Sequence, residues 1–126
     1  MDTYTDRAAD ITAVLSDYFN GVFKGDTDLL RSAFHPQALV AGDVNGQAYF
    51  KTLDQYLDGV RNRKSPFELG ESFRMEIMSI EVINQIAVAK VRLPMFEFNY
   101  HDLLSLTKVD GKWLIVNKLL TNVAMV

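Results

Sequence analysis

One carboxylate in this chain stands where a charge is expensive. In the run from Tyr100 to Leu106 the alternate positions Tyr100, Asp102, Leu104 and Leu106 share one side of a strand. Asp102 is the only one of them that is charged near neutral pH, and an unpaired charge on an apolar sheet face costs more than an unpaired hydroxyl or amide. Such a group is neutralised, hydrogen-bonded or set at a water-filled pocket. With a raised pKa it would suit a general acid or base for isomerisation, cyclisation or elimination. The other reading is structural: Asp102 accepts hydrogen bonds from a backbone amide, Tyr18 or Asn117 and fixes the sheet against the helices.

The neighbours of Asp102 follow from a turn. Asp110-Gly111 is the clearest turn signal in the chain, and with Val109 opposite Lys112 the ladder runs Leu106–Ile115, Leu104–Asn117, Asp102–Leu119 and Tyr100–Thr121. Asn117 then lies diagonal to Asp102 on the same face, either holding a substrate carbonyl or serving as the partner of the carboxylate. Tyr18, Tyr56, Tyr100, Phe98 and Trp113 either line a pocket for a small hydrophobic or aromatic ligand or fill a core. Desolvation is expected to raise the pKa of Asp102, so Asp102→Asn is expected to leave the fold intact or to stabilise it near neutral pH.

Other chemistries lack their residues. There is no cysteine, hence no disulfide, thiol nucleophile or cysteine-ligated metal. His35 and His101 stand far apart in no metal-ligand pattern, and His101 falls on the opposite strand face from Asp102. Gly70-Glu71-Ser72-Phe73-Arg74 fails the nucleophile-elbow pattern at its last glycine. No phosphate-binding glycine motif occurs, and no cofactor is expected. The basic run Arg61 to Lys64, offset by Glu68 and Glu71, reads as a solvated helix end. Thirteen Lys and Arg against 16 Asp and Glu give a net charge of -3, which offers nucleic acid and anionic membranes no general attraction.

The elements that must position these residues occupy one domain over residues 1–126, since 126 residues with 48% hydrophobic and 23% charged suffice for a single core. Ala8 to Phe23 carries apolar residues at three-and-four spacing and predicts a helix stopped by Gly25. Asp26 caps a short second helix with Leu29, Leu30 and Ala33, closed off by Pro36. Ala38 to Phe50 reads as a hairpin about Asn45-Gly46, and Thr52 caps a third helix with Leu53, Tyr56, Leu57 and Val60 on its apolar face. After Gly70 the period becomes two. In Phe73 to Val82 the alternation slips at Ile77 and Met78, as a β-bulge there would require. Asn84-Gln85 is a turn, Ala87 to Leu93 a strand, Phe96 to Thr107 the next, and Trp113 to Leu120 the last.

Helices first and a long antiparallel sheet afterwards describe an α+β cone. The sequence resembles the nuclear transport factor two-like superfamily and, within it, the putative lumazine-binding family. The resemblance rests on Tyr18-Phe19-x-Gly21, Gly25-Asp26, Ala33-Phe34-His35-Pro36-x-Ala38, Ile80-x-Val82 and Ala87-x-Ala89-x-Val91. Tyr100-x-Asp102-x-Leu104-x-Leu106 and Asp110-Gly111-x-Trp113-x-Ile115-Val116-x-Lys118 complete it. It implies N-terminal helices packed in the concavity of a curved, mostly antiparallel sheet. No catalytic residue carries over, since the superfamily holds isomerases, cyclases, dehydratases and non-enzymatic binding modules.

The competing functional class is an association module acting through its sheet. The face bearing His101, Leu103, Leu114, Val116, Lys118 and Leu120 is mixed but too apolar to meet only water, so a homodimer is expected, centred on Leu103, Val116 and Leu120. Alternatively, the apolar stretch from Val123 to Val126 covers that face. The acidic opening residues lack a secretory-signal pattern and no apolar run reaches the ~18 residues of a membrane span, which predicts a cytoplasmic protein without membrane partners.

Overall fold

The structure, a computed structural model, describes residues 3–124. Three helices precede or interrupt six strands, in the order α1 Tyr4–Lys24, α2 Thr27–Ser32, β1 Phe34–Val44, β2 Gln47–Thr52, α3 Leu53–Arg61, β3 Glu76–Ile83, β4 Ile86–Met95, β5 Phe98–Val109 and β6 Lys112–Val123. The strands form one curved sheet ordered β2-β1-β6-β5-β4-β3. Every neighbouring pair is antiparallel except β1 with β6, which run parallel and join the hairpin near the N-terminus to the four-stranded meander.

α1 begins four residues before its apolar stripe because Thr3 and Asp6 form a reciprocal capping box, each side chain accepting from the other's backbone N–H at 3.1 and 3.3 Å. Gly25 ends the helix at φ +67, a left-handed cap that a side chain would strain. Ile11, Leu15, Tyr18 and Val22 on the stripe are fully buried, in the same core as Val91, Leu104 and Ile115 of the sheet. At ~1.5 to 3 kcal/mol for each buried aliphatic side chain, this face ties α1 to the strands. Asp26 and Thr52 cap α2 and α3 as expected, the second with Gln55 returning the bond.

The Asn45-Gly46, Asn84-Gln85 and Asp110-Gly111 turns stand where expected, and the register of β3 on β4 shifts between Ile77 and Ser79. One turn was unforeseen. Phe96 and Glu97, expected to open a strand, form the β4–β5 turn at φ 55 and 65 without a glycine or asparagine. The backbone N–H of Phe96 donates to both carboxylate oxygens of Glu71, at 3.1 and 3.2 Å, which holds the tight turn in place.

The last hairpin departs from its expected ladder. Leu106 faces Ile115, but Ser105 faces Asn117, so Val116 is an extra residue and every pair beyond it moves by one. Asp102 therefore pairs with Leu120, Leu104 with Lys118 and Tyr100 with Asn122. Because one residue inverts the side-chain alternation, Lys118 and Leu120 turn into the concavity and Asn117 and Leu119 onto the convex side. Opposite Leu120, Gly42 lies so close to β6 that a Cβ would collide with the Leu120 carbonyl oxygen. Only glycine lets β1 approach there.

Candidate active site

β5 carries Asp102 into the concave side, where it is 1% exposed, and α1 meets it with Tyr18. The Tyr18 hydroxyl donates to Asp102 Oδ2 at 2.6 Å. Lys118 Nζ, delivered by the bulge, stands 3.7 Å from the same oxygen and donates to the Tyr56 hydroxyl at 2.8 Å. Its ammonium lies over the rings of Tyr56 and Tyr18, at 4.3 and 5.0 Å from their centroids. Lys118 itself is 3% exposed. Tyr18, Asp102, Lys118 and Tyr56 thus form one chain of contacts from α1 through the sheet to α3.

These four groups set one another's protonation. Burial raises the Asp102 pKa, opposed by the Lys118 charge and the Tyr18 hydrogen bond, and the result stays above the ordinary aspartate value. Burial by itself would lower Lys118, but the Tyr56 oxygen and the Asp102 carboxylate outweigh it and hold the amine cationic, above the usual lysine value. Tyr18 is raised well above an ordinary phenol, first by burial and then by Asp102. It remains a donor. Lys118 thus sets a positive charge beside the Asp102 carboxylate and the Tyr56 hydroxyl.

A cleft of about 150 Å³ opens onto the group. Its polar wall consists of Tyr49, Tyr56, Arg63, Tyr100, Asp102 and Lys118, and its apolar wall of Val44, Met95 and Leu120. Asp102 Oδ1 is buried and has no hydrogen-bond partner among the described residues. Tyr56 accepts from Lys118, which frees its own O–H to donate toward whatever occupies the cleft. Burial raises the Tyr49 and Tyr100 hydroxyls, so both also stay protonated.

Of the residues singled out from the sequence, Asp102, Tyr18, Tyr56 and Tyr100 come together. Tyr18 acts from beneath, through Asp102. Trp113 is 2% exposed, packs in the core and does not line the cleft. Asn117 stands on the convex face, because the Val116 bulge inverted its side, and so it neither shares the face of Asp102 nor meets it. His101 does lie on the opposite face, and His35 is occupied by accepting from the Gln37 amide at 3.0 Å. No cluster of three or more His, Cys, Asp or Glu side chains capable of holding a metal occurs among the described residues.

Two cleft cations escaped the sequence reading. The expected ladder puts Lys118 on the mixed face that would pair in a dimer, although the adjacent apolar pair Ile115-Val116 carries the same slip that marks the bulge in β3. Arg63 was read as a solvated helix end. Its guanidinium instead stacks on Phe96, 4.9 Å from the ring centroid, at the mouth of the cleft. The buried ammonium also changes the expectation for Asp102→Asn, which would strand Lys118 without its counter-charge.

Residues 6–121 match the model of the family described as "Putative lumazine-binding". The chain belongs to this family. The putative lumazine-binding chain is 26% identical over 102 residues to the aldolase FrzH of Cladobotryum sp., covering 81% of this chain and 80% of that one. Among solved structures, a nuclear transport factor two-like protein from Shewanella baltica is 28% identical, superposes with a TM-score of 0.84 and is covered, like this chain, over 98%. Another, from Methylobacillus flagellatus, is 28% identical with a TM-score of 0.86, over 97% of this chain and 96% of its own. The nuclear transport factor two-like fold is thereby shared across the whole described length. No helix of the described residues is long and apolar enough to cross a membrane.

Proposed function

We propose that this protein binds a small organic molecule in the cleft and removes a proton next to its carbonyl group by non-covalent acid–base chemistry. The observation that carries the reading is the buried, unpartnered Oδ1 of Asp102 in the same cleft as a tyrosine hydroxyl backed by an ammonium. Oδ1 is the base: with Oδ2 occupied by Tyr18 and Lys118, it is the carboxylate oxygen left to accept a proton. Its raised pKa brings it nearer the working range of a general base. Tyr56 donates to the carbonyl oxygen as negative charge develops there, and Lys118, charged before the reaction begins, stabilises that charge without rearranging. Tyr18 is a positioning residue. Tyr100 and Tyr49 give the ligand further donors.

The aldolase among the relatives supports this reading, because an aldol step starts with the same proton removal. So does the family description, which points to a small-molecule ligand. The test is α-proton exchange in D2O, followed by proton NMR over a panel of small ketones and 3-oxo acids. Asp102→Asn is expected to slow exchange ~10²- to 10⁴-fold, and Tyr56→Phe ~10²- to 10³-fold. Exchange that persists undiminished in Asp102→Asn would overturn the assignment.

A second reading rests on the convex face, where Leu39, Phe50, Val88, Leu103 and Leu119 are all exposed. Aligned across adjacent strands, they form an apolar band that favours pairing of two copies. The reading is a cytoplasmic homodimer, and catalysis in the cleft is compatible with it.

A further inference from the structure

The cleft is electropositive in an acidic protein. The net charge of the chain is -3, yet the cleft's ionisable wall carries two cations, Arg63 and Lys118, against the single carboxylate of Asp102. Lys118 is matched by Asp102 and Tyr56. Arg63 forms no ion pair among the described residues: both carboxylate oxygens of Glu71 accept from the Phe96 amide, and Arg61 rather than Arg63 takes Asp58, at 2.6 Å. Its guanidinium lies on the Phe96 ring instead, which fixes the plane and leaves the N–H edges free for a planar acceptor.

Resting on the proton-abstraction reading above, we propose that the ligand is a small oxo acid, whose carboxylate is taken by Arg63 at the mouth while its carbonyl oxygen meets Tyr56 in front of Lys118. The single positive charge of Arg63, without an ion-pair partner among the described residues, matches a monoanion better than a phosphate ester of charge ~-1.5 to -2. The cleft is also well below the ~300 to 1,000 Å³ of pockets for drug-sized ligands, which selects a short molecule. With the two cations in one cleft, a carboxylate between them relieves their mutual repulsion, a repulsion that already opposes the proton on Lys118.

The experiment compares acetoacetate, its neutral methyl ester and inorganic phosphate by chemical-shift titration of the full chain. Acetoacetate is expected to bind at least tenfold more tightly than the ester. Arg63→Met should remove that difference, and Arg63→Lys should restore part of it, since charge returns without the fork. Arg63 is exposed, so both variants should keep the fold. Equal binding of acid and ester, no effect of Arg63→Met, tighter binding of phosphate, or no saturable acid binding at ~10 mM (an affinity weaker than about -3 kcal/mol) would each overturn the proposal. The two ideas fail separately. Exchange of neutral ketones that depends on Asp102, with no preference for the acid, leaves the chemistry standing and removes the oxo acid. Arg63-dependent acid binding without Asp102-dependent exchange does the reverse.

Discussion

Asp102 and Lys118 are each tolerable in the concavity only because the other is there. Removing one partner of a buried pair leaves an uncompensated charge and typically costs ~3 to 5 kcal/mol, whereas replacing both by neutral groups of similar size is often close to neutral. Lys118→Met and Asp102→Asn should therefore each lower stability in urea denaturation near neutral pH, and the double variant should lose much less than their sum. A strictly additive result would show that the two charges do not act on each other. Their pH signatures differ in sign. The folded pKa of Asp102 lies above the 3.8 of a free aspartate, so its contribution falls as pH rises from there through the folded value and remains unfavourable above it. The folded pKa of Lys118 lies above 10.5, so its contribution is fully present below that value and is lost as pH rises through the folded one. Stability of the native chain relative to Lys118→Met should accordingly hold across neutral pH and decline only beyond the ordinary lysine range. A decline already complete by pH ~9 would mean that the amine is neutral in the fold.

At the scale of elements, tight turns and bulges decide which side chains share a space. The β4–β5 turn places two bulky residues at positive φ, and such conformations cost ~1 to 3 kcal/mol apiece for residues other than glycine. Glu97 is exposed, so Glu97→Gly should stabilise the protein by ~0.5 to 1 kcal/mol, read as a higher urea midpoint. A lower midpoint would show that the carboxylate contributes more than its strain costs. This turn was illegible in the sequence because neither Phe96 nor Glu97 is a turn former; Glu71, distant along the chain, supplies the acceptor. Helices, caps and the Asn- or Asp-containing turns were legible, since their signals are local. Asp102 was legible for the same reason, as a polar break in an apolar alternation. Lys118 was not, because its side depends on whether Val116 is counted in the ladder, and a lysine on a strand normally reads as solvated. Asn117 was misplaced by the same one-residue error.

The whole molecule presents its apolar band where the corrected register puts it. Leu103 and Leu119 are directly paired, each 45% exposed, at the middle of the convex face, whereas Lys118 and Leu120 turn inward. Sedimentation equilibrium at micromolar concentration is expected to give the mass of two chains, and Leu103→Glu with Leu119→Glu to give one. A dimer that survives both substitutions would place the interface elsewhere. The alternative cover is partly answered: Val123 pairs with Asn99 as the end of β6 and is itself exposed, while residues 125–126 lie outside the described residues. The parallel β1–β6 pairing has a consequence for how this chain comes off the ribosome. Among the strands of the described residues β6 is made last, yet it sits third in the sheet and joins the two halves. Until synthesis has passed Val123, the β1–β2 hairpin and the β3–β5 meander each display an unpaired edge, and the nascent chain must be kept from pairing with another copy. Closing the sheet brings sequence-distant strands together, the kind of contact that makes folding slow. The same late event carries in Lys118, so a polypeptide nicked or stopped before Lys112 loses the seam of its sheet and the cation of its cleft together.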